Sequence, residues 1–271
     1  MSRILGLFLA SVCLSSAVSA HADELSDVRQ RGTLICATLG TAPPFSFQDA
    51  KSRETVGYDV DMCHALADAL KVKLELKLVS VDARIPELLQ GRVDVVAANL
   101  GYTKQRAQQI DFSYGYFAGP SKLLVRKDSG LTTLDQLAGK RIAIVKGSSA
   151  EQAIKRLIPS ANIVSYPDPT SGFLAVLQGK TDALCASELA VLKMQRQGAA
   201  STPLSIIDKP VFVESWGIGL RKGEPAFEKA VNDALAGMET SGRANAIFQT
   251  WLGANSEYKV QRNFRFEPIR D

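Results

Sequence analysis

Histidine and cysteine, from which most transition-metal and nucleophile sites are built, are scarce in this sequence. The 271 residues include two histidines and four cysteines. His21 lies in the N-terminal leader, which leaves His64 among the apolar positions of a predicted helix. A site with several histidine ligands is therefore excluded in the mature chain, and we predict neither a metal nor a cofactor.

The sequence also lacks an excess of one charge and, after its first residues, any long apolar run. Its formal net charge is +4 at pH 7. The basic residues form no stripe with interleaved aromatics, so we predict no nucleic-acid partner. No stretch beyond residue 22 has the continuous apolar length that a membrane span needs, and we expect a soluble mature protein.

The first 22 residues are typical of a secretory signal peptide. Arg3 precedes an apolar run over residues 4–14, and small residues follow it. We predict cleavage after Ala22, with Ala20 as the alternative, and hence a periplasmic protein. Cys13 lies inside the apolar run and follows a valine, which argues against lipid attachment there.

Three cysteines remain after that cleavage, at positions 36, 63 and 185. Their spacing does not match a metal site, and each lies in an apolar segment. We therefore expect buried free thiols, with a Cys36–Cys63 disulfide as the alternative.

Strand and helix patterns alternate along the chain. Residues 33–38 form a β-branched, apolar run, and Met62, Leu66, Ala69 and Leu70 recur at helical spacing. The alternation returns at residues 73–81 and 82–90. This order predicts an α/β fold with mainly parallel sheets, followed at residues 255–271 by a polar tail with little pattern.

A six-residue pattern that occurs twice predicts two lobes of similar build. Leu-Gln-Gly-Arg-Val-Asp at 89–94 returns 88 positions later as Leu-Gln-Gly-Lys-Thr-Asp at 177–182, each before an apolar strand. In this register Asn99 corresponds to Ser187. Open α/β sheets bind ligands beyond the carboxyl ends of their strands, so two facing lobes would enclose a site.

Arg106 occupies a position that conflicts with helix stability. Thr103 is the predicted N-cap of a short helix, which places Arg106 at the third helical position, near the positive end of the dipole. Because glutamate would be more stable there, we interpret the guanidinium as a bidentate site for a carboxylate. The alternative is a solvated arginine paired with Asp111.

A second anion feature is predicted where an apolar strand ends in Gly147-Ser148-Ser149. Ser148 and Glu151 match a capping box at the start of a helix. That pairing does not explain Gly147 or Ser149. Helix N–H groups at this turn are suited to complete the grip on the carboxylate that Arg106 holds.

Three motifs together resemble the family 3 extracellular solute-binding proteins. They are Gly-Tyr-Asp-Val-Asp-Met at 57–62, Thr103 to Ser113 with Arg106, and the Gly-Ser-Ser turn at 147–149. The resemblance extends over nearly all of the mature chain. It implies a type II-like periplasmic binding protein with two lobes, each a mainly parallel sheet flanked by helices. Such a protein is monomeric and is not an enzyme. It delivers a polar amino acid from its cleft to an inner-membrane ABC permease.

The resemblance also assigns ligand-binding residues. In this family the arginine that matches Arg106 holds the α-carboxylate of the ligand, with help from the turn that matches Ser149. Residues at the level of Asn99 and Gly101 line the amino and carboxylate end. The complete predicted set is Arg106, Ser149, Asn99, Gly101, Thr103, Arg84, Gly147, Ser148, Ser187, Glu188 and Phe45.

Two positions depart from the family pattern. Many relatives carry an aspartate for the ligand's ammonium group where this chain has Ser187, and the neighbouring Glu188 is the candidate substitute. The alternative, if neither residue reaches the ligand, is a ligand without an ordinary α-ammonium group. Many also stack an aromatic on the ligand near Ala42, where this chain offers Phe45 or Phe47 instead.

Arg84 is a second arginine in the first turn of a predicted helix. In relatives that bind glutamate or aspartate, an arginine in a matching Arg-Ile-Pro setting contacts the side-chain carboxylate. The resemblance therefore favours an acidic amino acid as ligand. The alternative is an arginine that bridges the lobes or pairs with Asp82.

Two predicted chain crossings divide the mature chain into lobe 1 (residues 23–118 and 214–271) and lobe 2 (residues 119–213). The alternative function is an enzyme on the same scaffold, such as a dehydratase that acts on a small carboxylate. It would need a general acid in the cleft, and Glu188 is the candidate.

Overall fold

The computed structural model describes residues 23–198 and 202–270, so the predicted signal peptide lies outside the described residues. The helices are α1 (Glu24–Arg31), α2 (Tyr58–Leu70), α3 (Arg84–Leu89), α4 (Lys104–Ala107), α5 (Ala150–Leu157), α6 (Pro169–Leu177), α7 (Glu188–Gly198), α8 (Pro225–Thr240) and α9 (Arg243–Trp251). Within these two ranges, no helix combines the length and the apolar character needed to cross a membrane.

The strands are β1 (Thr33–Thr38), β2 (Thr41–Ala42), β3 (Ser46–Gln48), β4 (Thr55–Val56), β5 (Lys73–Leu78), β6 (Val95–Val96), β7 (Asp111–Arg126), β8 (Arg141–Val145), β9 (Asn162–Tyr166), β10 (Ala183–Ser187), β11 (Leu204–Ile206) and β12 (Phe212–Leu220). The main sheet has the order β5-β1-β6-β12-β7-β10-β8-β9, with β11 on β7. β1 pairs in parallel with β5 and β6, and β8 with β9 and β10. The predicted α/β fold is confirmed.

Two long antiparallel strands, β7 and β12, connect the two lobes. Phe212 faces Ser121 and Trp216 faces Phe117, after which the register shifts. One end of this ribbon continues into the sheet that contains β1, and the other end into the sheet that contains β8. The lobes are therefore joined by paired backbone rather than by loose loops.

Each lobe has its own hydrophobic core. In lobe 1, α2, α8 and α9 bury Tyr58, Phe227 and Phe248 completely. In lobe 2, the fully buried side chains include Ile144 on β8 and Ile154 on α5. Burial of each such side chain contributes about 1.5–3 kcal/mol to folding.

Two of the three cysteines among the described residues form a disulfide, which corrects the expectation of free thiols. Cys36 on β1 and Cys63 on α2 have Cα atoms 6.1 Å apart and are bonded. The packing of α2 on β1 brings together two residues separated by 27 positions, which an apolar sequence pattern does not reveal. Cys185 is free and buried, and burial raises the pKa of its thiol to about 12.

The C-terminal segment is not an unpatterned tail. Phe264 and Phe266 pack on the lobe 1 core, and Arg262 lies over both rings. The Arg262 guanidinium also forms an ion pair with Glu239 on α8, and both side chains are nearly buried. Alternating aromatic and basic residues therefore fix this segment to lobe 1.

Candidate functional site

A cavity of about 170 Å3 lies where strands of both lobes end. Leu39 follows β1 and Asn99 follows β6, whereas Val145 ends β8 and Ser187 ends β10. Ligands of open α/β sheets bind beyond the carboxyl ends of the strands. The volume is below the roughly 300–1,000 Å3 of pockets for drug-sized molecules, which indicates a small ligand.

The structure brings most of the predicted site residues to this cavity. Its lining includes Phe45, Arg84, Asn99, Arg106, Ser148, Ser149 and Ser187. Thr103 and Gly147 line an adjacent groove, which also includes Arg84 and Arg106. Gly101 lines neither the cavity nor this groove, but its carbonyl oxygen accepts from Arg106. Glu188 lines neither the cavity nor this groove.

Arg106 holds its predicted place at the start of α4. Its main-chain N–H donates to Thr103 Oγ1 over 3.1 Å, so the predicted N-cap is confirmed. The guanidinium donates to the carbonyls of Gly101 (2.6 Å) and, across the lobes, Gly147 (2.9 Å). No carboxylate of the described residues lies within 4.0 Å of it, and Asp111 pairs with Lys222 instead. Burial lowers the pKa of Arg106, and the charge of Glu214 acts in the opposite direction.

Arg84 is a buried link rather than an exposed cation. Its side chain donates to the carbonyls of Val81 (2.7 Å), Ala98 (2.8 Å), Asn99 (2.8 Å) and, in lobe 2, Gly147 (3.2 Å). Burial lowers its pKa to about 9, and the neighbouring Arg106 adds to this shift. Arg84 is still protonated at neutral pH. Arg84 bridges the lobes, as the alternative interpretation of this residue predicts.

Gly147 is the point at which the two lobes touch through their backbones. Its carbonyl accepts from both arginines, and its φ of +77° lies in the left-handed region. A Cβ atom at this position would lie 2.6 Å from the Cα of Asp82 in lobe 1. The adjacent Lys146 forms an ion pair with Asp82 at 2.9 Å. The absence of a side chain at position 147, which the capping box left unexplained, therefore has a direct cause.

The predicted capping box at the start of α5 is wrong. The helix begins at Ala150, so Ser149 rather than Ser148 is the N-cap residue, and its side chain makes no capping bond. Ser149 Oγ instead donates to Glu214 over 2.6 Å, and Glu151 pairs with Lys155. Ser148 Oγ is buried and has no hydrogen-bond partner among the described residues. Both serine hydroxyls are thus available to the cavity rather than used by the helix.

Asn99 is held in a left-handed conformation, with φ +51°, by a buried carboxylate. Its N–H donates to Asp59 Oδ2 (3.0 Å), and Asp59 Oδ1 accepts from the Tyr116 hydroxyl (2.9 Å). Burial raises the pKa of Asp59 to about 7, and the two hydrogen bonds lower it in part. Asn99 lines the cavity, and its Oδ1 is buried without a partner in the described chain. Sequence reasoning missed this role of Asp59, although a carboxylate among apolar positions of α2 was a signal.

Neither residue predicted to hold the ammonium group provides a charge to the cavity. Ser187 lines it, but its Oγ accepts from the N–H of Ala190 at the start of α7 (3.4 Å). Glu188 forms an ion pair with Lys122 at 2.8 Å. Because Glu188 lies outside the cavity lining, it cannot act there as the acid that the dehydratase hypothesis required.

Phe45 forms part of an aromatic cluster at one wall of the cavity. Its ring is 1% exposed and packs edge-on against Trp216 (4.6 Å) and Phe117 (5.0 Å). Phe47, the alternative aromatic, contacts Trp251 and does not line the cavity. Phe45 therefore belongs both to the lobe 1 core and to the cavity wall.

Glu214 on β12 is a cavity residue that the sequence analysis did not identify. Its Oε2 accepts from Ser149 of lobe 2, and its Oε1 accepts from the indole N–H of Trp216 over 3.1 Å. A Cβ on Gly101 would overlap the Glu214 carboxylate, so this position of the carboxylate requires glycine at position 101. The position of Glu214 within a predicted chain crossing was a possible signal, because both crossings border the cleft.

A second set of contacts joins α7 of lobe 2 to the segment that follows α9. Lys193 Nζ lies 2.9 Å from Glu257 Oε1, and Arg196 donates to the Glu257 carbonyl over 2.9 Å. Exposed pairs of this kind contribute about 0.2–1 kcal/mol each. With the contacts at Gly147, they define a closed arrangement of the lobes.

Comparisons with known proteins agree with this architecture. The sequence model of the bacterial extracellular solute-binding proteins, family 3, matches residues 34–254. The L-cystine-binding protein TcyJ of Escherichia coli is 30% identical over 256 residues, which cover 93% of this chain and 95% of that protein. The ABC transporter glutamine-binding protein GlnH of Bacillus subtilis is 27% identical over 234 residues, 85% of each chain.

A solved structure shows the same fold. It is the crystal structure of the ancestral amino acid-binding protein AncCDT-1, described as a precursor of cyclohexadienyl dehydratase. Its TM-score is 0.75 at 30% identity, with 86% of this chain and 100% of that chain covered. These relatives are binding proteins rather than enzymes, in agreement with the prediction.

Proposed function

Because the chain belongs to the bacterial extracellular solute-binding proteins of family 3, we propose that it captures a polar amino acid between its lobes and delivers it to an ABC importer. The names of its relatives, which include an L-cystine-binding protein and an ABC transporter glutamine-binding protein, support this proposal. A ligand that touches both lobes favours the closed form, and the importer would recognise that form.

The unpaired charge of Arg106 carries the proposal. Two of its five N–H groups donate to main-chain carbonyls, one in each lobe. No carboxylate of the described chain lies within 4.0 Å of it, and Glu214 acts on it from farther away. A partly buried guanidinium of this kind is suited to bidentate binding of a carboxylate. The α-carboxylate of an amino acid provides that group and would contact the point at which the lobes meet.

Two unpaired polar atoms support the same proposal. Asn99 and Ser148 line the cavity, and Asn99 Oδ1 and Ser148 Oγ are buried without a partner in the described parts of the chain. Leaving such an atom without a hydrogen bond costs about 1–3 kcal/mol. A ligand with several polar groups would supply the missing partners, one in each lobe.

The proposal includes a preference for acidic amino acids, for which Arg84 is the reason. It lines the cavity, is charged, and uses four of its five N–H groups on carbonyls. The side-chain carboxylate of an acidic ligand would accept from the fifth N–H and would be attracted by the positive charge. A titration in which L-glutamate and L-aspartate bind no more tightly than L-glutamine would contradict this preference.

We assign the lobe boundaries to residues 118/119 and 213/214. At these positions β7 and β12 run side by side between the two cores, with Glu214 facing Gly119. The protein would bind its ligand as a monomer in the periplasm, which agrees with a family described as extracellular.

Calorimetric titration of Arg106→Ala tests the proposal. Removal of one partner of a desolvated charge pair costs about 2–5 kcal/mol, so the affinity for the amino acid should fall by about 30-fold or more. Arg156→Ala, on the exposed part of α5, is the control and should bind like the wild type. Unchanged affinity in Arg106→Ala, with wild-type stability, would remove the proposed carboxylate site.

A further inference from the structure

We propose that Glu214, on the connecting strand β12, binds the ammonium group of the ligand and thereby selects amino acids over plain carboxylates. The inference depends on the proposed function, since it assigns the second charged group of a ligand whose carboxylate binds Arg106. It moves the ammonium site from the end of β10, where Ser187 stands, to the strand that joins the lobes.

The charges around the cavity support this choice. The charged side chains of the described lining are Arg84, Arg106, Lys193 and Glu214. Lys193 is paired with Glu257, so the interior holds two guanidinium groups and one carboxylate. Removing an ammonium group from water without a counter-charge costs several kcal/mol. Glu214 is the carboxylate of this lining that can provide the counter-charge.

Glu214 is positioned by neighbours that leave part of it free to accept. A carboxylate offers about four acceptor sites, and Ser149 Oγ and Trp216 Nε1 each use one. Both contacts are donors, so they fix the side chain without neutralising its charge. Gly101 provides the space, because a Cβ there would lie 1.9 Å from Glu214 Oε2.

Asn99 provides a second acceptor in the same cavity. An ammonium group has three donors, and Asn99 Oδ1 is buried and without a partner among the described residues. Asp59 fixes the backbone of Asn99 through its N–H. Asn99 and Glu214 both line the cavity, so in the proposed site the amide oxygen and the carboxylate each accept from the ammonium group.

The test compares an amino acid with the 2-hydroxy acid of the same side chain. L-cystine, L-cysteine, L-glutamine, L-glutamate and L-arginine are first ranked by thermal shift on the wild-type protein, and the best binder is then titrated by calorimetry. In Glu214→Gln the amino acid should bind at least about 30-fold more weakly, as expected for loss of a desolvated charge partner. The hydroxy acid should bind as in the wild type or more tightly, because the cavity has become more positive.

This opposite response separates a ligand contact from a structural role, which would weaken both ligands alike. Equal losses for both ligands, or no loss for the amino acid, would overturn the inference. Glu75→Gln, on the exposed edge strand β5, is the control for loss of a surface carboxylate. If Glu214→Gln does not fold, Glu214→Asp, which retracts the charge by one methylene, replaces it. The amino acid should then bind more weakly, and the hydroxy acid should bind as in the wild type.

Two further variants distinguish this inference from the proposed function. Loss of amino acid binding in Arg106→Ala but not in Glu214→Gln would leave the proposed function standing and overturn the inference. Loss in Glu188→Gln with wild-type affinity in Glu214→Gln would return the ammonium site to lobe 2. Failure of the wild type to bind any of the five amino acids would overturn both proposals.

Discussion

Replacing Gly147 by alanine tests whether the lobes must close for the ligand to bind. Gly147 has φ +77°, and an added Cβ would lie 2.6 Å from the Cα of Asp82 in the other lobe. Nonbonded carbon atoms prefer about 3.5–4.0 Å, so backbone would have to move. Opening of the lobes would relieve the overlap between this Cβ and Asp82. Ligand binding closes the lobes and would restore the overlap.

The expected magnitude has two parts that act on different states. The left-handed φ costs alanine about 1–2 kcal/mol in the open and the closed form alike, so it lowers stability and leaves affinity unchanged. The overlap with Asp82 exists only in the closed form, and overpacking of this kind costs about 1–3 kcal/mol. We therefore expect the affinity for the ligand to fall by about 5- to 150-fold.

Gly139→Ala is the matched control. Its φ is +69°, and no heavy atom lies within 4 Å of the Cβ that alanine would add, so it has the backbone cost without the overlap. Urea unfolding without ligand should show similar losses of stability in both variants, and calorimetric titration should show weaker binding in Gly147→Ala alone. Equal affinities of the two variants would refute the idea that the bound form has the lobe contact described.

Two other predictions concern stability. Burial raises the pKa of Asp59 from 3.8 to about 7, so between about pH 4 and pH 7 the folded protein holds a proton that the unfolded chain releases, and stability falls as pH rises through this window. Asp59→Asn should flatten that slope in urea unfolding at pH 5 and pH 7, and a slope equal to that of the wild type would contradict the shift. The Cys36–Cys63 bond closes a loop over a separation of 27 residues, and its loss in Cys36→Ser with Cys63→Ser should lower the free energy of unfolding by about 3–4 kcal/mol. A double variant as stable as the wild type would contradict that estimate.

The cap and the helical position predicted for Arg106 are confirmed for a local reason. Its cap, its helical position and its conflict with the helix dipole all lie within four residues, so the sequence contains the whole argument. The hydrogen-bond partners of its guanidinium cannot be predicted from neighbouring residues in this way. The carbonyl of Gly147 lies 41 positions away in the other lobe and reaches Arg106 only when the lobes meet.

The residues missed by sequence reasoning depend on long-range geometry. Glu214 enters the cavity because β12 pairs with β7 in one register and because Gly101 has no side chain to block it. Asp59 is important because a loop after β6 and a tyrosine on β7 converge on it. Ser148 failed as a cap because α5 begins one residue later than the pattern indicated, and sequence patterns locate helix ends only to within a few residues.

The hydrogen bond between Trp216 and Glu214 gives the protein a built-in optical probe. The chain has two tryptophans, so Trp251→Phe would leave one indole, buried against Phe45 and Phe117 and bonded to the carboxylate that we assign to the ligand. Any cation that binds Glu214 changes the electric field at that indole. Emission from a single native side chain can therefore follow both the arrival of an amino group and the bending of the strand that holds it, without a chemical label.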